Sequence, residues 1–209
     1  MAIQSKFLSF ALFCVIGIAG LGASLLWHRR PAPVELATGT LLMPGRALPD
    51  FSLIDQKGRT FATADLRGHW SLLFFGYTNC PDFCPTTLTT LAAMEKNLRS
   101  AKAAVIPQVV FVSVDAKRDT PAQLAKYVPY FDPSFIGLTA ADQPSIDAVA
   151  KELGVAVIIR PASDGNYTVD HSGEIFVLSP DGQIAAILTG PFSADAVRGD
   201  FLRIVAARA

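Results

Sequence analysis

The chain opens with an unbroken apolar block and then settles into short apolar runs separated by polar turns. The block, Phe7 to Trp27, carries no charge. As a helix rising about 1.5 Å per residue it spans roughly 30 Å, the thickness of a bilayer's hydrocarbon core. A cleaved signal peptide has a shorter apolar stretch, about 7–15 residues, and a small-residue cleavage site that Ala23-Ser24-Leu25-Leu26-Trp27 does not supply. The pattern predicts an uncleaved transmembrane helix over residues 7–27. Residues 28–40, mixed and aperiodic, follow as a linker, and residues 41–209 form the folded domain.

Within that domain the rhythm alternates between strand and helix. Phe51-Ser52-Leu53-Ile54, a polar turn at Asp55–Gly58 and Arg59-Thr60-Phe61 predict a hairpin. Trp70–Phe75 and Val109–Val114 are near-continuous apolar runs, the mark of central strands covered on both faces. A helix is predicted from Pro85 to Arg99, with Leu88, Leu91 and Met94 at helical spacing. Thr120-Pro121-Ala122-Gln123 is a helix start, and Ser145–Leu153 a further helix ending at Gly154. Strands follow at Val155–Ile159, Glu174–Leu178 and Gln183–Leu188, the last two joined by the turn Ser179–Gly182. Ser193 caps a final helix toward Val205.

A helix joining two buried strands implies a parallel pair with a right-handed crossover, and the closing hairpin adds antiparallel strands. The predicted fold class is therefore α/β: a thioredoxin-like mixed sheet with flanking helices, preceded by one N-terminal transmembrane helix.

Composition narrows the function. Eighteen basic residues balance 18 acidic ones among 209, so no cationic face for nucleic acid is expected. Three cysteines are too few for a disulfide-built scaffold. Lys6 and the amino terminus oppose Arg29 and Arg30, so charge alone leaves the orientation of the anchor undecided. The absence of an Arg- and Ser-rich leader points to a bacterial protein rather than an imported organelle protein.

The chemistry concentrates in Gly76-Tyr77-Thr78-Asn79-Cys80-Pro81-Asp82-Phe83-Cys84-Pro85. Two cysteines sit in a polar loop between a central strand and a helix, where open α/β sheets bind ligands. Because a residue before proline is pushed out of the helical region, Cys84 is expected to cap the helix, with Pro85 first inside it. That places Cys84 at the positive end of the helix dipole and makes it the expected thiolate. Such a pair suits either reversible disulfide chemistry or a thiophilic ion such as Cu(I).

A third ligand would favour the metal. At roughly 3.3 Å per residue, the strand Trp70–Phe75 puts His69 about 20 Å from the thiols, at the wrong edge of the sheet. His171, in Tyr167-Thr168-Val169-Asp170-His171-Ser172-Gly173, precedes the strand Glu174–Leu178. If that strand runs antiparallel to Trp70–Phe75, His171 arrives beside Cys80 and Cys84. Asp170 is a candidate to orient the imidazole from behind. Asp115 and Arg118 are placed at the rim as a cap or ion pair, and Tyr77 and Phe83 as aromatic cover or docking surface.

The blocks GYTNCPDFCPTTL, VFVSVDAKRDTP and YTVDHSGEIFVLSPDG, in that order, resemble the Sco/SenC family of membrane-anchored copper-binding assembly factors. The resemblance covers the chain from about Leu48 onward; Gly173 and Glu174 stand where more apolar residues are expected. It implies copper, as Cu(I) with Cu(II) as a second state, held by Cys80, Cys84 and His171. It implies delivery to the CuA centre of cytochrome c oxidase subunit II, or reduction of that centre's cysteines. A thioredoxin-like reductant or another copper chaperone would be further partners. It also orients the anchor: residues 1–6 cytoplasmic, a single pass through the bacterial inner membrane, and the domain facing the periplasm.

Two other functions compete with a metallochaperone. A thiol–disulfide reductase would use Cys80 and Cys84 as a redox pair, but such enzymes place a proline where Val169–Gly173 carries His171. A peroxidase of the peroxiredoxin type needs a proline where this chain has Leu73.

Overall fold

The computed structural model describes residues 34–161 and 166–208. The expected transmembrane helix over residues 7–27 lies outside the described residues. Among the described residues, no helix is long and apolar enough to cross a membrane.

In chain order the elements are β1 (Gly39–Ala47), β2 (Ser52–Asp55), β3 (Thr60–Ala62), a tight helical turn (Thr63–Leu66), β4 (Ser71–Gly76) and α1 (Phe83–Ser100). They continue with β5 (Gln108–Ser113), α2 (Pro121–Phe131), β6 (Ile136–Thr139), α3 (Gln143–Leu153) and β7 (Val157–Pro161). β8 (Tyr167–His171), β9 (Ile175–Leu178), β10 (Gln183–Leu188) and α4 (Ala194–Ala207) complete them.

Eight strands form one sheet in the order β1-β10-β9-β4-β5-β6-β2-β3. β4 is buried along its whole length, as its apolar run requires. It pairs in parallel with β5 across the α1 crossover and antiparallel with β9. The helices flank this sheet, with α4 packed on α1 and α2 on β6. α2 starts as predicted, with Pro121 in its first turn and the Thr120 hydroxyl accepting from the Gln123 N–H at 3.2 Å.

The mixed thioredoxin-like plan is present with three additions. β1 starts inside the stretch expected as linker. It is held as an edge strand on β10 despite Pro44 and a break in register between Leu41 and Arg46. β6 has only four residues, too few for a period to register, and is built by pairing with β5 and β2. β8 was expected as loop. Among the described residues it pairs only with β7, so the strand predicted at Val155–Ile159 belongs to a separate two-stranded sheet and not to the main one.

The register fixes where the site lies. Phe74 stands opposite Ile175 and Gly76 opposite Ser113. The chain therefore leaves β4, leaves β5 and enters β9 at one edge of the sheet. His69, exposed and just before β4, is at the opposite edge, as expected.

Candidate metal centre

Cys80, Cys84 and His171 converge at that edge, with one ligand atom from each lying within 4.8 Å of the others. The chain brings the two thiols together locally and the imidazole from a distant segment. Nε2 of His171 lies 3.3 Å from Cys84 Sγ. Nδ1 lies 2.8 Å from the Ser172 carbonyl oxygen. A carbonyl can only accept, so Nδ1 carries the proton and Nε2 turns a free lone pair toward the sulfurs.

The thiols divide their roles differently from the sequence expectation. α1 begins at Phe83, with Asp82 at its cap position, so Cys84 is inside the first turn and fully buried. Pro85 does not prevent this, because the first helical N–H groups have no intrahelical partner to lose. One of those free donors, the Cys84 N–H, points instead at Cys80 Sγ, 3.4 Å away. Cys80 thus occupies the place at the helix N-terminus that the sequence assigned to Cys84. A hydrogen bond from the Cys84 thiol, with help from the Cys84 and Asp82 N–H groups, pulls Cys80 down to about 4 despite partial burial. The same shared proton, together with burial, pushes the Cys84 thiol up. The reduced pair holds one proton, on Cys84, and Cys80 is the thiolate.

The surroundings sort the remaining candidates. Asp170 does not orient His171. Neighbouring strand residues face opposite ways, and Asp170 pairs outward with Arg160. Asp115 and Arg118 form a nearly buried ion pair, and Arg118 also donates to the Tyr167 carbonyl at 2.9 Å. Tyr77, buried, meets the His171 ring edge-on at 6.0 Å. Phe83, 41% exposed, lies 6.3 Å from the same ring and walls a shallow concavity shared with Gly173, Glu174 and Thr189–Pro191. Gly173 answers its own departure from the expected pattern: a Cβ there would stand 2.5 Å from Cζ of Phe83.

Asp119 went unnoticed in the sequence. Buried after β5, it accepts from the Thr78 N–H at 2.9 Å, the Thr78 hydroxyl at 2.6 Å and the Ser113 hydroxyl at 2.7 Å, which anchors the cysteine loop. Burial raises its carboxyl above the usual range although these donors oppose the shift. Its signal was its place immediately before the Thr120 helix cap, in the short loop after a buried strand.

Two sulfurs and an imidazole form a soft donor set suited to copper. The SCO1/SenC family model matches residues 42–206. The mitochondrial SCO2 homolog of Bos taurus is 35% identical over 192 residues, covering 91% of this chain and 72% of its own. The copper-bound structure of Arabidopsis thaliana ScoI superposes with a TM-score of 0.72 at 33% identity, over 76% of this chain and 98% of that one. Copper-bound Bradyrhizobium japonicum ScoI gives 0.67 at 33% identity, over 76% and 99%. With a family match running from β1 into α4 and relatives at this identity along most of its length, the chain belongs to the SCO1/SenC family.

Proposed function

We propose that the protein carries copper as cargo, held between Cys80, Cys84 and His171, and delivers it to the CuA centre of cytochrome c oxidase subunit II. The observation that carries this reading is the convergence of three soft ligand atoms from two distant segments within 4.8 Å. Cys80 is already a thiolate, His171 Nε2 already offers a lone pair, and Cys84 gives up the shared proton when Cu(I) takes its place. Cys80, the less buried sulfur, faces the rim where a partner's thiolate could displace it first. In this reading residues 7–27 anchor the chain in the inner membrane and the domain faces the periplasm, where another copper chaperone supplies the metal.

A second reading is favoured by the low-lying Cys80 thiolate beside a protonated Cys84. Cys80 would attack a partner's disulfide and Cys84 would then release it. The partner gains two thiols, the pair becomes a disulfide, and a thioredoxin-like reductant resets it.

Cu(I) titration of the full-length chain tests the first reading. One equivalent should bind to reduced protein and none to oxidised protein, because a disulfide has no thiolate to donate. Cys80→Ala and Cys84→Ala should abolish binding, and His171→Ala should weaken it sharply. Full binding by Cys80→Ala would overturn the site. Unchanged affinity in His171→Ala, with the pair still redox-active, would leave the reductase.

A further inference from the structure

His171 reaches the thiols from a weakly supported element. Among the described residues β7 and β8 pair only with each other, and a lone two-stranded hairpin is marginal in water. Its outer strand is exposed from Ile158 to Pro161. What faces the body is one row of β8, Tyr167, Val169 and His171, alternating with outward Thr168 and Asp170, together with Val157 at the start of β7. His171 stands at one end of that row and Tyr167 at the other.

The Tyr167 end is held by Arg118 and Asp115. The guanidinium of Arg118 stacks on the Tyr167 ring, 3.7 Å from its centre, while Nη1 donates to the Tyr167 carbonyl at 2.9 Å. Asp115, 2% exposed, pins the other edge of that guanidinium and accepts from the Tyr167 hydroxyl at 2.8 Å. The same guanidinium lies 5.6 Å from the centre of the Tyr77 ring, which meets the His171 imidazole edge-on. The Val169 N–H, midway along the row, faces the Tyr77 hydroxyl. One planar cation therefore joins the loop after β5, the cysteine-bearing loop and the histidine-bearing strand.

We infer that Arg118 is a positioning residue for His171, clamping the hairpin at Tyr167 and so setting the fraction of time the imidazole stands over the thiols. This rests on His171 being a copper ligand. The task needs arginine: a planar fork stacks on a ring and donates from its edges together, whereas an ammonium does only one at a time. Apparent affinity scales with the population of the competent arrangement, so a clamp loss that leaves the ring in place about a tenth of the time weakens binding about tenfold.

The test measures Cu(I) affinity of the full-length chain by competition with a coloured Cu(I) chelator. Arg118→Lys, which keeps the charge beside Asp115, should bind about tenfold more weakly than the unaltered chain. Tyr167→Phe, which keeps the stacked ring and loses one hydrogen bond, should show a smaller loss. In a His171→Ala background Arg118→Lys should cost nothing further, because the residue it positions is gone. In metal-free protein the His171 ring protons should broaden or shift in Arg118→Lys while those of His69 stay put. Equal losses with and without His171 would make Arg118 a general structural residue and overturn the inference. So would unchanged affinity in Arg118→Lys while His171→Ala weakens copper. If His171→Ala itself leaves affinity unchanged, the ligand assignment fails and this inference falls with it.

Discussion

Nε2 of His171 lies 3.3 Å from Sγ of Cys84, although 87 residues separate them in the chain. The pairing of Phe74 with Ile175 makes that contact, because the chain enters β9 where it leaves β4. The carbonyl of Ser172 settles which nitrogen faces the sulfur. A lone pair aimed at two sulfurs that share one proton is a site prepared for a soft cation before any cation arrives.

The division of labour between the thiols predicts the order of alkylation. Cys80, held at about 4 mainly by the Cys84 thiol, is a thiolate throughout the neutral range. Cys84 is buried and keeps its proton. Iodoacetamide at pH 5.5 should modify Cys80 first and Cys84 only slowly, by at least about tenfold. Copper should protect both. Peptide mass mapping reads the order, and a faster Cys84 would reverse the assignment.

Gly76→Ala should damage the site without touching a ligand. A Cβ at Gly76 would lie 2.9 Å from Cys84 Sγ and 2.7 Å from Cε2 of Phe111. Phe111 is fully buried in β5 and cannot retreat, so the sulfur or the strand must move. Overpacking of this kind costs roughly 1–3 kcal/mol. Denaturant unfolding should show that loss, and copper affinity should fall with it. A variant equal to the parent in both would mean that the strand end yields freely.

Glu95 gives stability a pH dependence remote from Cys80, Cys84 and His171. Burial on α1 pushes its carboxyl up to about 7, although Arg99 opposes the shift. The folded state keeps this proton up to about pH 7, while the unfolded chain loses it near 4.5. Between those values the folded state binds more protons, so stability from this group is full below about 4.5 and is lost as pH rises through about 7. Glu95→Gln cannot ionise. Relative to the parent it should gain roughly 3 kcal/mol between pH 4.5 and pH 8. Unfolding curves at the two pH values that shift in parallel would refute this.

Asp200 ties the start of the described chain to α4. It is fully buried and accepts from the Ala37 N–H at 2.8 Å and from the Thr38 N–H and hydroxyl at 2.7 Å, with Arg203 at 3.0 Å. Burial alone would raise its carboxyl, but these donors hold it below the usual range. Asp200→Ala should cost roughly 3 kcal/mol by stranding them. Amide exchange at Ala37 and Thr38 should speed up well before the sheet opens. Unchanged protection there would show that the tie contributes nothing.

Local pattern determined much of this protein. The apolar runs Trp70–Phe75 and Val109–Val114 could only be strands buried on both faces, and the helix between them forced their parallel pairing. Glu174–Leu178 beside the first of these brought His171 to the cysteines, so the composition of the site was legible from order and spacing. Tertiary contact decided what pattern cannot carry. β1 exists because β10 offers it an edge, and β6 because two neighbours complete a strand too short to show a period. Which sulfur holds the charge depends on where α1 starts. Proline preference pointed to Pro85, whereas unpaired first-turn donors let the helix begin at Phe83 and aim an N–H at Cys80. The hold of Arg118 on Tyr167 spans 49 positions and leaves no periodic trace. Periodicity and turn chemistry are properties of neighbours in sequence, while proton sharing, edge pairing and clamping belong to neighbours in space.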